Sequence, residues 1–443
     1  MMPRISALFA ALSLVGVLLS RADAAAPTSQ DYLQIAGEVE TSLQNDDLKK
    51  FFPATVDPQG GFFENFSEDW THNTSRGDTT RSAVYQSRLT WLAAQAAMRY
   101  PTQADTYLND ARHGAQFLTE KQWDNVGGGF WWSVDVGNNS RTSDKHIYGN
   151  AFAIYALAAA YQATHDPADL DAAKKGFSWM ETHAHDSVNG GYFEQIRADG
   201  SHVDVGAPGV RRDVLGAQPG QKTMNSHIHI LEALTGLLQV WPNALLKQRT
   251  EEVYQICLTK IYADPGYLHL YFSPDWTPAI NRDSYGHDIE SAFLFTEAAA
   301  ALGKPDDPAA WDTARKIVDH CLKVGFDPQN GCLNSEGSID GSGTPDRSRV
   351  WWVQAEALNA LLLMHERYGK NDPRYWDAFV KEWNFIKAYQ IDPKNGGWYN
   401  TLNADNTPQR SKLAKTDAWT EGYHQGRSML NVTARLKRLA GEN

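Results

Sequence analysis

A chain of 443 residues that is 42% hydrophobic and 21% charged, with a formal net charge of −12, has apolar material for a large core. It shows no Lys/Arg cluster of the kind that grips nucleic acid or an anionic membrane, which argues against both as partners. Three cysteines, Cys257, Cys321 and Cys332, do not make a disulfide framework; one pair could bridge outside the cytosol, but buried, small apolar residues are the expected state.

In chain order, Arg4 precedes an apolar run over 5–19, and Ala22-Asp23-Ala24 or Ala24-Ala25-Ala26 offers the small-x-small cleavage site of a secretory signal. The run falls short of the ~18–20 apolar residues of a membrane span. We therefore expect residues 1–24 to be cleaved and the protein to be exported, to the periplasm or beyond. Residues 25–443 read as a single domain, because no Pro/Ser-rich linker or charge block interrupts them.

A helix near 28–51 is followed by six Asp-led glycine turns. They begin at Asp57, Asp124, Asp186, Asp264, Asp327 and Asp392, at intervals of 62–78 residues. A fixed period of this kind marks a repeat architecture. Asn-Gly and Gly-Gly supply the positive φ of tight hairpins. Between the turns, 147–163, 170–182, 228–240, 248–261, 291–302 and 350–368 are rich in Ala and Leu with apolar residues at three-to-four spacing. A last helix ends near Leu439. The total is about twelve helices in six pairs. A linear stack would need polar caps at both ends, whereas six pairs can close on themselves. The expected fold is all-α: a six-hairpin α/α toroid, or (α/α)6 barrel, with inner and outer rings and short β-hairpins connecting the helix pairs.

Around the start of the second helix of each pair lie residues that a simple core helix would not want. They are Arg81, Gln86, Arg88 and Trp91; His146, Tyr148 and Asn150; Asn225, His227, His229 and Glu232; Tyr285, His287, Asp288 and Glu290; Trp351, Trp352, Gln354 and Glu356; and Trp419, Tyr423, His424 and Arg427. If the second helices form the inner ring, all six groups converge at one mouth of the toroid. Asn225 and His229 are four apart, and His229–Glu232, His287–Glu290 and His424–Arg427 are three apart, so each pair shares a helix face. A carboxylate so placed can hold an imidazole's orientation and tautomer, which suits proton transfer.

A single histidine on a buried face is more often a satisfied core residue. Three at matching positions of three repeats turn that balance toward chemistry. His-x-x-Glu can also present two metal ligands, but no His-x-x-x-His or Cys-x-x-Cys spacing occurs at the mouth, and no metal is expected. Trp131, Trp132, Trp351, Trp352 and Trp419 are placed to offer flat faces to a sugar, whereas Phe62, Tyr192 and Trp398 are expected to pack hairpins on helices. Three long irregular stretches, 64–80, 197–221 and 334–347, should rise on the same rim and narrow it into a cleft for more than one sugar ring. No dinucleotide or phosphate-loop fingerprint occurs, so no cofactor is expected. The expected partner is a small oligosaccharide, and the expected state is a monomer.

The segments Ser284-Tyr285-Gly286-His287-Asp288-Ile289-Glu290, Asn225-Ser226-His227-Ile228-His229-Ile230-Leu231-Glu232, Trp351-Trp352-Val353-Gln354-Ala355-Glu356, and Trp419 with Tyr423-His424 and Arg427 together resemble the N-acylglucosamine 2-epimerase superfamily, and within it the cellobiose 2-epimerase branch. Gly129-Phe130-Trp131-Trp132-Ser133-Val134-Asp135 and His146-Ile147-Tyr148 extend the likeness over nearly all of residues 25–443. The resemblance implies the same toroid. It also implies epimerisation at C2 of the reducing-end sugar of a β-1,4-linked disaccharide through an enediolate. By position it makes His287 and His424 the catalytic pair, one acting as base and the other as acid, and Arg88 the stabiliser of the enediolate. His229 becomes an assistant in ring opening and Glu290 the orienter of an imidazole. Asn225, Tyr148, Trp352, Glu356 and Trp419 become substrate contacts, with Trp132 beside them. The flanks Thr420-Glu421-Gly422 and Gln425-Gly426 depart from the Pro- and Asn-containing segments of the family, so mannobiose is as defensible a substrate as cellobiose. Three other readings stay open. A mannose-type aldose–ketose isomerase uses the same enediolate. A glycoside hydrolase needs two carboxylates from Glu194, Asp288, Glu290 and Glu356, roughly 5 Å or roughly 6.5–9.5 Å apart. A sugar-binding protein needs no chemistry at all.

Overall fold

The computed structural model describes residues 26–74, 78–142, 144–279, 282–342 and 344–442; the expected secretion signal lies outside them. Among the described residues twelve long helices follow one another: α1 (Ser29–Ser42), α2 (Ala83–Arg99), α3 (Ala104–Phe117), α4 (Ile147–Thr164), α5 (Pro167–His183), α6 (Met224–Val240), α7 (Ala244–Ile256), α8 (Tyr285–Ala301), α9 (Pro308–His320), α10 (Trp351–Tyr368), α11 (Arg374–Phe385) and α12 (Tyr423–Ala440). The even-numbered helices form an inner ring in which each packs on the next and α12 returns to α2. Each odd-numbered helix covers an inner one from outside, and α1 closes the outer ring by packing on α12. The expected (α/α)6 toroid is the observed fold.

Composition explains which helix goes where. Ala93, Ala94, Ala96 and Ala97 of α2, and Ala156, Ala158, Ala159 and Ala160 of α4, are buried, and their small side chains let inner helices approach on both flanks. The outer helices are one-sided instead: α9 buries Ala310, Ala314, Ile317 and Val318 on a single stripe. Caps fix where the helices begin. Ser82 accepts from the Tyr85 amide, Thr223 from Ser226 and Asp307 from Ala309, with Pro308 in the first turn of α9.

Short antiparallel pairings tie neighbouring repeats together at the N-terminal ends of the inner helices. Thr80–Ser82 pairs with Ser133–Asp135, Asp144–His146 with Gln195–Arg197, Lys222–Thr223 with Tyr271–Phe272, and Arg349–Val350 with Thr401–Leu402. Phe66 meets Thr416 in a single bridge that joins the last repeat to the first.

The periodic aspartates do more than turn the chain. Asp57 pairs with Arg81 at 2.9 Å, Asp124 with Lys145 at 2.7 Å, Asp186 with Lys222 at 2.7 Å, Asp327 with Arg349 at 2.8 Å and Asp392 with Lys415 at 2.7 Å. Each pair bolts a glycine turn to the segment that enters an inner helix. Breaking a buried pair of this kind costs ~3–5 kcal/mol, because the survivor is left charged and unpaired. The fourth repeat swaps the charges. Asp283 stands two residues before α8, where a cation stands before α2, α4, α6 and α10, and it pairs with His320 at 2.9 Å. The turn residue Asp264 instead reaches Lys316 on the surface, at 3.0 Å.

Cys257, Cys321 and Cys332 are buried free thiols. Among the described residues no helix is long and apolar enough to cross a membrane.

Candidate active site

The inner helices carry two interleaved sets of polar residues, and only one set faces the lumen. Gln86, Asn150 and Gln354 each accept from the amide of the residue after a glycine turn, at Phe62 (2.7 Å), Phe130 (2.7 Å) and Leu333 (3.1 Å), and each donates back to that residue's carbonyl. His227 and Asp288 accept in the same way from Tyr192 and Leu268. These five are latches that hold turns against the inner ring, which corrects the expectation that all the flagged residues converge on one mouth. Two residues beyond the latches of α2, α6, α8 and α10 the side chains turn instead toward the site, as Arg88, His229, Glu290 and Glu356.

At the N-terminal ends of the inner helices a cavity of 580 Å³ is lined by Arg88, Tyr148, Asn225, His229, His287, Glu290, Trp352, Trp419 and His424, among others. Trp132 faces a neighbouring cavity of 520 Å³. It meets Trp419 at a ring-centroid distance of 5.7 Å, so the two indoles link the cavities. Trp419 is 38% exposed and stands at the mouth. Of the three long loops, 334–347 contributes Ser335 and Asp346 to the main cavity. The loop at 197–221 lines the Trp132 cavity, where Asp213 is clamped by His146 at 3.1 Å. The loop at 64–80 borders a separate depression and not the main cavity. The stretch that sequence missed is 400–417, which supplies Asn400, Gln409, Lys412 and Asp417.

Each histidine at the cavity has a partner on Nδ1. His424 donates to Glu356 Oε1 at 2.7 Å, His229 to Glu232 Oε2 at 2.9 Å, and His287 lies 2.7 Å from Ser284 Oγ. The first two pairings put the proton on Nδ1 and leave Nε2 as a lone pair. His287 and His424 both pack against Trp352, with ring-centroid distances of 4.8 and 5.5 Å to its indole. Burial drives both rings toward the neutral form, His287 down to about 3 and His424 well below the ordinary imidazole range, with Arg88 and each other's neighbours pushing the same way.

Arg88 donates to Glu421 at 2.7 Å and to the Tyr148 hydroxyl at 3.0 Å, with Phe152 4.4 Å from its guanidinium carbon. Burial opposes its charge, but Tyr148 and Glu421 outweigh that and raise its proton affinity. Glu290, expected to orient an imidazole, binds Arg427, while the carboxylate on His424 is Glu356, expected to contact substrate. Arg427 also binds Glu232 and Glu356. Glu290 Oε2 and Asn225 Oδ1 are buried without a partner beside the cavity, so both have an acceptor to offer a ligand.

Two clusters offer three ligand atoms within 4.8 Å of one another: Glu290, Glu356 and His424, and His146, Glu194 and Asp213. In the first, Arg427 Nη2 already serves both carboxylates, so a guanidinium fills the cation's place. In the second, His146 Nδ1 accepts from the Tyr148 amide, so Nε2 is the protonated nitrogen that donates to Asp213 and has no lone pair for a metal. Of the four carboxylates a hydrolase would draw on, Glu194 holds Thr223 and Ser226, Asp288 is a latch and Glu356 backs His424. Glu290 alone of the four lines the cavity.

Ser284 and Glu421 stand directly behind His287 and Arg88, yet neither was singled out from sequence. Ser284 lies inside the motif that carries His287, three residues away, and was open to the same spacing argument. Glu421 is 333 residues from its partner, and nothing local ties the two.

The family model described as N-acylglucosamine 2-epimerase matches residues 61–170 and 209–424. A cellobiose 2-epimerase of Bacteroides fragilis is 28% identical over 396 residues, which is 89% of this chain and 97% of that protein. A D-mannose isomerase of Marinomonas mediterranea is 26% identical over 389 residues, covering 84% of this chain and 92% of its own length. The solved cellobiose 2-epimerase from Spirochaeta thermophila superposes with a TM-score of 0.82 at 31% identity, over 93% of this chain and 98% of the other.

Proposed function

This chain belongs to the N-acylglucosamine 2-epimerase family and is a carbohydrate 2-epimerase, and on that premise we propose that it inverts C2 of the reducing-end sugar of a β-1,4-linked disaccharide, cellobiose or mannobiose. The observation that carries the reading is the pair of buried imidazoles, His287 and His424, that both pack on Trp352 and are each held from behind on Nδ1.

Once the sugar ring is open, His424 Nε2 takes the C2 proton. The C–H electron pair becomes the C1–C2 double bond of the enediolate, and the carbonyl pair moves onto O1. Arg88 is fixed by Glu421 and donates toward that charge, in a site where burial makes a preorganised donor count for more than in water. His287 relays a proton drawn from solvent to the opposite face of C2, and His424 gives up the proton it took to solvent, so both rings end neutral as they began. His229, with its proton held on Nδ1 by Glu232, presents a lone pair suited to taking the anomeric hydroxyl proton during ring opening. Return of the proton to C1 instead of C2 would give a ketose, the isomerase outcome. The aromatic wall of Trp419 and Trp132 beyond the histidines favours a substrate with a second ring over mannose alone.

An NMR time course of the purified protein with cellobiose, mannobiose and mannose in D₂O tests this. A 2-epimer carrying deuterium at C2 is the expected product. Release of monosaccharides, or epimerisation without deuterium, would overturn the proposal. The apolar run over 5–19 and the small residues after it support export as part of the same reading; N-terminal sequencing of secreted material checks it.

A further inference from the structure

Among the described residues Arg427 is the side chain that bonds the carboxylates of both histidine–carboxylate pairs. Its Nη1 donates to Glu232 Oε1, while Glu232 Oε2 accepts from His229 Nδ1 at 2.9 Å. Its Nη2 donates at 2.7 Å to Glu356 Oε1, the same atom that accepts from His424 Nδ1 at 2.7 Å. Nη2 also serves Glu290, and the Tyr423 hydroxyl accepts from Nη1 at 2.8 Å and donates to Glu232 at 2.6 Å. All of these groups are buried. The other lumen guanidinium, Arg88, is taken up by Glu421, so three carboxylates depend on one cation.

Carboxylates this close in a dry interior do not all stay ionised without a counter-charge. If Glu356 took up a proton, His424 would lose the partner that defines its tautomer. If Glu232 did, His229 would lose the same. Burial works to raise Glu232, yet Arg427 and His229 hold it down at about 2. The planar fork of arginine suits this task, because it can serve carboxylates on two sides at once, where an ammonium acts as a point charge.

We propose that Arg427 is the positioning residue of the epimerisation: a single guanidinium holds Glu232 and Glu356 charged and oriented, and so sets the tautomers of His229 and His424 together. The inference rests on the reading of His424 as the group that moves the C2 proton. It makes the two imidazoles a coupled unit, joined beneath the cavity by Glu232, Arg427 and Glu356.

A second feature makes this testable. Arg427 also lines a cavity of 470 Å³ shared with Thr235 and Asn431, and its Nε has no partner. Truncation therefore leaves a guanidinium-sized hole with its own opening to a cavity behind the site. In Arg427→Ala, added guanidinium should restore turnover, and sodium chloride at the same ionic strength should not. Arg427→Lys, which keeps the charge and has the better prospect of folding, should lose about 10–100-fold in kcat, the range seen when a group that orients a functional histidine is lost, with little change in KM. In both variants the ring 15N signals of His424, read without substrate, should titrate away from the parent protein's position and lose their Nδ1–H preference, because Glu356 is no longer held ionised and oriented behind the ring.

An unmoved His424 titration in folded Arg427→Lys, with activity that merely tracks the folded fraction, would overturn the proposal. So would rescue by sodium chloride as effective as rescue by guanidinium. If the parent protein converts none of the sugars, the epimerase reading fails by itself, and the imidazole titrations still decide whether Arg427 governs the histidines.

Discussion

Glu356 stands directly behind His424, its Oε1 accepting the Nδ1–H at 2.7 Å with neither side chain open to solvent. Burial raises the carboxyl, and Arg427 opposes that rise. Glu356→Gln keeps an acceptor oxygen in place and removes only the charge, so the imidazole stays oriented while its protonated form loses support. We expect kcat to fall by about 10–100-fold with KM nearly unchanged. Steady-state kinetics on the disaccharide read this out, and a loss below threefold would remove Glu356 from the proton-transfer machinery.

Arg88 and Glu421 make the second prediction. The guanidinium reaches the carboxylate at 2.7 Å, and both side chains are buried. Glu421→Ala leaves an unpaired buried cation, which costs ~3–5 kcal/mol of stability. It also frees the guanidinium proposed to stabilise the enediolate. Both the thermal midpoint and the rate of C2 deuteration should fall. A variant that is destabilised but deuterates normally would show that Arg88 does not need Glu421 to act.

Trp419 separates the disaccharide from the monosaccharide reading. It is 38% exposed at the mouth and tilted against Trp132, away from the histidines proposed to act on the reducing-end ring. An aromatic contact is worth about 0.5–1.5 kcal/mol beyond its buried area, so Trp419→Ala should raise KM for cellobiose or mannobiose about 2–10-fold. Turnover of mannose, which has no second ring, should be unaffected. Equal losses on both kinds of sugar would place the indole at the reducing-end ring.

The toroid was legible because its cause is local and repeated: a glycine turn every 62–78 residues and two apolar helices between turns. The histidines of the site were legible for the same reason, since they recur at the head of three inner helices. Which way a side chain faces was harder. Gln86 and Arg88 are two residues apart on one helix, one latched outward to Phe62 and the other lining the cavity, and polarity alone does not tell them apart. The periodic aspartates read as turn formers, while their cationic partners lie 21–36 residues further on. Glu421 is the extreme case, because its role depends on ring closure between the first and last inner helices. The cavity segment at 400–417 was missed because it follows the last turn without any departure in composition.

The latch at His227 gives a prediction about stability that is independent of catalysis. Its Nε2 accepts from the Tyr192 amide at 3.0 Å and its Nδ1–H donates to the Thr223 carbonyl at 2.7 Å, so the buried ring works as a neutral imidazole. Burial lowers it to about 3. In the unfolded chain the same ring has an ordinary value near 6.5 and binds a proton more readily. Its contribution is therefore fully present above about pH 6.5 and is lost as the pH falls toward 3, at up to about 1.4 kcal/mol per pH unit. Glutamine holds the equivalent latch at Gln86 and Gln354 without titrating. His227→Gln should thus keep the fold at neutral pH and lose less stability than the parent protein on acidification, by roughly 2 kcal/mol between pH 6.5 and 4.5. Urea unfolding at a series of pH values measures the difference directly. Parallel curves for the two proteins would mean that His227 does not pay a protonation penalty in the folded state.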